Sequence, residues 1–470
     1  MGRYLNWFEY KSILPFLIFP FLVCIVSWIH FYQMGNLLVD GSPVNPLYLR
    51  LALMALICGS FVYYYSRLYS LLILSSEIEL HFDIRRLSYM HLIISVFTLP
   101  LFSNDFFSLL GYADAFVNGH NIYTSFNAKG QTEYAALINP LYQNLNCKYG
   151  PLNMLIMLPS VLWNQHSIIT SIFISKSLLF IFGVFYIEFS LKLSRLLSKD
   201  FIYILLLFPI WFIQGVGQFH LDLIGVCFVL IGYYYCYKNK SWIGIFFLVL
   251  AVLSKITYLL FLCIPYLLLL ERQKKMDMRA WLQCTILNLI YLSVLGYLAY
   301  APFIDHWKEL LAPIRAMNVE RPSSTMADIG AYILLPWNND FKANYTITMT
   351  VFKYLGLLVM LGITSIYFKN YSKKYSHRIF LLSIFITLIL VYSHRFLPWY
   401  LMVVPLFLYI GDRKDWLKWF LWISFISMFQ DFAIFMQTDW LGGKIMMALA
   451  TIGTVGCFFY HFQSRIKYTE

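Results

Sequence analysis

Residues Ser103–Pro151 read SNDFFSLLGYADAFVNGHNIYTSFNAKGQTEYAALINPLYQNLNCKYGP, a polar interval set between hydrophobic segments. It carries Asp105, Asp114, His120, Asn121, Lys129, Glu133 and Lys148. Loops beyond roughly 12 to 15 residues are uncommon inside compact proteins and often hold binding or catalytic groups. The plain alternative is a solvated connection between two membrane spans, and the rest of the chain argues against it.

Working outward, composition sets the class. Of 470 residues, 60% are apolar and 12% charged, with 36 Tyr, 42 Phe and 13 Trp, more hydrophobic surface than one soluble core could bury. The chain therefore reads as an all-α, polytopic transmembrane helical bundle forming one membrane-embedded domain over 1–470. The apolar run from Ser12 to about Gln33 is too long for a signal peptide and lacks a small-x-small cleavage site, so it is the first span. Further spans are expected at about 49–66, 88–103, 151–163, 168–194, 201–216, 219–237, 242–254, 256–270, 281–303, 349–368, 379–393, 398–411, 416–435 and 444–461. Several fall short of the roughly 20 residues of a straight crossing, so about 11 to 14 true spans plus half-helices are expected. Seven of the eight cysteines lie in apolar runs, Cys147 being the exception, which argues against a disulfide framework or a zinc site. The net charge of +12 sits in short clusters between spans, which points to orientation in a bilayer and away from nucleic acid.

Those clusters, among them Arg67, Arg85 and Arg86, Lys192 to Lys199, Lys238 and Lys240, and Arg272 to Arg279, would be cytoplasmic by the positive-inside rule. The opposite, external side then receives the loops of about 103–151 and 304–348, and the turns at 214–222, around Lys255, at 393–398 and at 436–443. Parity fails between Pro151 and Arg195, where two apolar segments stand in place of an odd number of crossings. Either one is a half-helix or Arg195 is not cytoplasmic. The unusual polar residues share the external side: Asp105, Asp114, His220, Asp222, Lys255, His394 and Arg395, the last two beside Trp399 and Tyr400. Groups so costly near a bilayer usually line a pathway or a site. Carboxylates from the first loop and cations from later segments suit a base acting on a hydroxyl beside a pocket for a phosphate.

Each of these residues also has a structural reading. Asp105 could cap a helix over Phe106–Val117. Asp114, about two and a half turns later, would face the other way, so only one carboxylate meets a given substrate. His220 and Asp222 diverge by about 200 degrees on a helix, which disfavours a metal pair and suits joint hydrogen bonding at a helix top. Lys255 could snorkel to the interface, and Arg395 with its aromatic neighbours could be an interfacial anchor. Asp431 beside Gln430 reads as a structural hydrogen bond. Asn344, Tyr345 and Thr346 form a glycosylation sequon on the expected external side, which in a bacterial protein would be a chance match.

Taken in order, Asp105 after an early span, GYADAFVNGHNIY at 111–123, YGPL at 149–152, HLD at 220–222, SKITYLL at 254–260 and PWYLMVVPL at 398–406 resemble the polytopic GT-C glycosyltransferases. Within them the chain is most similar to bacterial polyprenol-phosphate-mannose-dependent mannosyltransferases of cell-envelope glycan assembly. It departs from the family's common Asn-Pro-Tyr at Asn121–Tyr123 and from His-Asn-Asp at His220–Asp222. The resemblance implies Asp105 as catalytic base, with Asp114 as fallback, in a large external first loop. It implies substrate contacts from Tyr112, Asn121, Tyr123, Tyr149, His220, Asp222, Lys255, His394, Arg395, Trp399 and Tyr400. It further implies a polyprenyl-phosphate sugar donor, a glycan or glycolipid acceptor, an inverted anomeric centre and a home in the bacterial plasma membrane. No metal ligand is expected, and a divalent cation at Asp105 is left open. The competing class is a transporter or flippase of lipid-linked sugars, but such folds usually show internal repeats, and none is visible here.

Overall fold

Apolar runs punctuated by polar residues become helices because a chain in a bilayer must satisfy its backbone polar groups within each segment. The structure, a computed structural model, describes residues 7–40, 47–70, 83–100, 105–138, 143–163, 167–196, 206–273, 278–303, 330–331, 333–369, 384, 401–402, 421, 424–425 and 428. In chain order the helices are α1 (Trp7–Asp40), α2 (Leu47–Tyr69), α3 (Ile84–Phe97), α4 (Asp105–Val117), a one-turn α5 (Ala128–Gln131), α6 (Pro151–Leu162) and α7 (Ile168–Leu196). A π-helix (Ile210–Gly217) precedes α8 (Asp222–Tyr237) and α9 (Ser241–Ser254). A 3-10 helix (Ile256–Cys263) leads into α10 (Ile264–Gln273), followed by α11 (Met278–Tyr300) and α12 (Phe341–Lys369). Among the described residues there is no strand, and the all-α reading holds.

Three described helices are long and apolar enough to cross a membrane, Ile168–Leu196, Met278–Phe303 and Phe341–Ser365. Shorter apolar helices, such as Pro151–Leu162 and Ser241–Ser254, are the half-length pieces expected from the sequence. The parity problem has a physical answer here. The 12 residues of α6 rise about 18 Å, well short of a bilayer core, whereas the 29 residues of α7 can cross it.

Several boundaries differ from expectation, among them the span expected at 88–103, whose helix runs Ile84–Phe97, and that at 219–237, which begins at Asp222; two more bear on the loops. The span expected at 349–368 begins at Phe341, because the Asp340 carboxylate accepts from the Lys342 and Ala343 amides (3.0 and 3.1 Å) and starts the helix early. The expected loop to 348 therefore loses its last residues to α12. Asn344 of the sequon is buried there, its amide nitrogen donating to the Asn338 carbonyl at 2.6 Å. The second difference is at 256–270, which starts as a 3-10 helix after Lys255 rather than as one continuous span. The spans expected at 379–393, 398–411, 416–435 and 444–461 lie outside the described residues save for isolated positions, as does Asp431.

Packing gives the described chain two large apolar cores and a small cluster of Ala331 with Tyr345 of α12. One joins α1, α2, α3, α7, α8 and α9 through residues such as Phe61, Tyr64, Trp211, Leu223 and Leu248. The α8–α9 hairpin inside it is tight: a Cβ on Gly244 would lie 2.2 Å from the Cys236 sulfur, so only glycine permits this approach. The other core belongs to the first loop, where Phe106, Leu110, Tyr123, Phe126, Tyr134 and Met154 pack with Phe219 and Ile224. The polar interval is thus a folded unit seated on the bundle. Asp222 opens α8 and Lys255 follows α9, so both stand at one end of the hairpin, opposite the Lys238–Lys240 turn, as the sidedness reading requires.

Candidate active site

The first loop is held by its own hydrogen bonds. The Ala128 amide donates to the Gln143 carbonyl (2.7 Å) and the Cys147 amide to that of Ile122 (2.8 Å). Tyr112 Oη donates to the Leu145 carbonyl at 2.8 Å, and Tyr123 Oη to that of Tyr149 at 3.0 Å. Its last residues then dock on α9. The Gly150 amide and Asn153 Nδ2 both donate to the Ser254 carbonyl at 2.9 Å. Gly150 has an ordinary φ of −69°, so its need is for space: a Cβ there would lie 2.0 Å from the Leu253 carbonyl oxygen. This docking sets Lys148 and Tyr149 beside Lys255.

The side chains brought together are Asp105, Lys148, Tyr149, His220, Asp222 and Lys255. Tyr149 Oη donates to Asp105 Oδ2 at 3.0 Å, and His220 Nδ1 stands 3.9 Å from the same oxygen. Lys255 Nζ donates to Asp222 Oδ1 at 2.8 Å, and Tyr258 Oη to the Asp222 carbonyl at 3.0 Å. Two ammonium groups lie near the Tyr149 ring centre, Lys148 at 5.7 Å and Lys255 at 5.9 Å. His220 arrives through a sharp turn after the π-helix: Phe219 takes a left-handed φ of 62°, a conformation bulky residues rarely adopt. The Phe219 ring packs edge-on against Phe106, the neighbour of Asp105, with centroids 4.7 Å apart.

Electrostatics separate the roles. Burial alone would push the Asp105 carboxyl up, but Lys148, His220, the Tyr149 hydroxyl and Lys255 outweigh it, and the carboxyl is held below its ordinary value. It is a carboxylate at neutral pH. Burial pushes His220 down to about 4, so its imidazole is neutral there and the cations act on Asp105. The Asp105 side chain keeps 17% exposure against 1% for His220, so the carboxylate is the group a ligand can reach.

Of the residues expected from the sequence, the structure gathers Asp105, Tyr149, His220, Asp222 and Lys255. Lys255 does not snorkel, because it is paired inside with Asp222. Asp114 lies on the same α4 helix as Asp105 but meets different partners: Oδ2 accepts from the Glu133 amide at 3.0 Å and Oδ1 from Asn118 Nδ2 at 3.5 Å. Tyr112 and Tyr123 donate their hydroxyls to loop carbonyls, and Asn121 Oδ1 accepts from the Tyr123 amide at 3.0 Å, so these three help hold the loop. His394, Arg395, Trp399 and Tyr400 lie outside the described residues. Sequence reading passed over Lys148 as a partner of Asp105, Phe219 as the turn residue, and Lys176. The signal for Lys176 was a lone cation in the apolar run SIFISKSLLF.

An ionised carboxylate beside two ammonium groups can take a proton from a hydroxyl while the cations receive a growing negative charge. Among the described residues, no three His, Cys, Asp or Glu side chains are grouped so as to hold a metal ion. Residues 35–271, half of the chain, match the model of the MptA_B family, alpha-(1->6)-mannopyranosyltransferase, N-terminal domain. No curated protein matches the chain. The matched stretch contains all six residues of the site.

Proposed function

The chain belongs to the alpha-(1->6)-mannopyranosyltransferase family and is a membrane glycosyltransferase, and from that premise we propose that it moves mannose from a polyprenyl-phosphate donor to a hydroxyl of a cell-envelope glycan or lipid, with inversion. The observation that carries this reading is the Asp105 carboxylate, hydrogen-bonded by Tyr149 and flanked by Lys148 and Lys255. Asp105 takes the acceptor hydroxyl proton as that oxygen attacks C1 of mannose. The bond from C1 to the phosphate oxygen breaks, and the polyprenyl phosphate leaves with the electron pair. Lys148 and Lys255 stabilise the charge that grows on the leaving phosphate, and the sequence adds Arg395 to that set. His220, being neutral, contributes as a hydrogen-bonding group. No step in this scheme uses a metal.

The donor class follows from setting and charge. A polyprenyl chain is confined to the bilayer, so its enzyme needs an anion-binding site at the mouth of an apolar bundle. The natural setting of this reading is a bacterial plasma membrane, with the reaction on the non-cytoplasmic face. Stereochemistry gives a sharp test, since inversion to an α product requires a β-linked donor. Purified protein would be given β- and α-linked polyprenyl-phosphate mannose and a nucleotide-linked mannose, and the product anomer read by NMR. Transfer from the β-linked lipid alone, giving an α linkage, is expected. Use of the nucleotide sugar would remove the proposed donor, and use of the α-linked lipid would remove inversion.

A further inference from the structure

Lys176 lies within α7, a helix long and apolar enough to cross the membrane, and is fully buried. A cation in such a place is costly unless it is paired, and an apolar side chain would pack there more cheaply. Its Nζ donates to the carbonyl oxygens of Val216 and Gly217. These are the last carbonyls of the π-helix, groups that a helix end leaves without partners in the helix and that carry its partial negative charge. Gly217 is also in reach of Thr98 at the end of α3, where an added Cβ would lie 3.7 Å from the Thr98 methyl. Thr98 Oγ1 itself donates to the Ile94 carbonyl at 3.0 Å, while the next amide, Leu99, donates to Ser27 Oγ of α1 at 2.9 Å. One buried junction therefore holds the chain just before Asp105 and the chain just before His220.

From this junction the path to the site is short. Two residues beyond Gly217, Phe219 turns the chain at φ 62° and packs on Phe106. The next residue, His220, faces Asp105 at 3.9 Å, and Asp222 then binds Lys255. A left-handed Phe persists only where its surroundings fix the chain on both sides. We infer that Lys176 is a positioning residue for mannosyl transfer, its side-chain nitrogen anchoring the end of the π-helix by hydrogen bonds so that the turn at 217–222 delivers His220 to Asp105 and Asp222 to Lys255. This rests on the reading of Asp105 as the base, and Lys176 itself touches no substrate.

The test compares full-length native protein with Lys176→Met, which keeps the apolar stem and removes the donor, and Lys176→Arg, which restores a hydrogen-bond donor. Turnover, KM for the acceptor, the pH profile of turnover and the thermal midpoint in detergent would be measured. Lys176→Met is expected to lower kcat at least 10-fold with little change in acceptor KM. It should also move the acid limb of the profile upward, because Lys255 recedes with Asp222. Lys176→Arg should recover most of both effects. If Lys176→Met loses turnover with the acid limb in place, or if both variants fall equally, the inference is overturned and the residue only supports folding. Should Lys176→Met fail to fold, Lys176→Arg decides: a folded, active protein with the native limb supports the inference, and any other result overturns it. Asp105→Asn run alongside separates the two ideas. If that change spares turnover, the assignment of the base fails whatever Lys176 does; if it abolishes turnover while Lys176→Met is silent, only the present inference fails.

Discussion

Replacing Gly150 with alanine tests how closely the first loop must dock for the site to work. The new methyl would stand 2.0 Å from the Leu253 carbonyl oxygen, and separations under 3.0 Å are essentially never seen. The loop end or the end of α9 must therefore move by about 1 Å, and neither is a flexible side-chain tip. Overpacking of this kind costs about 1–3 kcal/mol. The bonds from Gly150 and Asn153 to Ser254 would stretch as well, at about 1 kcal/mol each. Because φ is −69°, alanine also restricts the unfolded chain, which returns less than about 1 kcal/mol. The balance is a loss of about 2–4 kcal/mol in stability. The catalytic effect is separate: Lys148 and Tyr149 adjoin the displaced residue, and a 1 Å misplacement of reacting groups costs about 100-fold in rate. Turnover at saturating donor and the melting midpoint in detergent would both be measured. Native turnover with a native midpoint would refute the reasoning that this contact sets the site.

Other outcomes follow from the same geometry. Lys255→Met leaves Asp222 buried without its ammonium and should destabilise by about 3–5 kcal/mol; adding Asp222→Asn should restore most of the melting midpoint and none of the turnover, so recovery of turnover would show that Lys255 serves structure alone. Asp105 is held below its ordinary value, so kcat/KM should fall only as pH drops through a point below about 3.9, and Lys148→Met should raise that point; an unmoved limb would remove Lys148 from the site. His220 is neutral in the fold down to about 4 but takes up a proton near 6.5 when unfolded, so stability should fall as pH drops through that window. The loss is on the order of 3 kcal/mol; a His220→Gln variant with an unchanged pH dependence of unfolding would show that another group is responsible.

The fold class was legible because helix periodicity and span length come from local composition. Helix α4 was placed over Phe106–Val117 and runs from Asp105, and the opposition of Asp105 and Asp114 followed from helical geometry alone. What was not legible depends on contacts far apart in sequence. Nothing local in SKITYLL says that Lys255 is paired with Asp222 rather than snorkelling, since the pairing is created by the α8–α9 hairpin. Tyr112 and Tyr123 also donate their hydroxyls to loop carbonyls that only the folded loop brings near. The π-helix and the left-handed Phe219 have no propensity signature, because they depend on contacts distant in sequence, such as that of Phe219 with Phe106. Helix α12 started early because of Asp340, a capping residue that was readable and was passed over.

The most direct test of the central claim is turnover by purified native protein and by Asp105→Asn, with polyprenyl-phosphate mannose as donor and a panel of glycan acceptors. If Asp105 is the base, the native chain transfers mannose, and the variant loses about 10²–10⁴-fold in kcat while its melting midpoint stays near native. Equal turnover by the two proteins would place the base elsewhere and contradict the central claim.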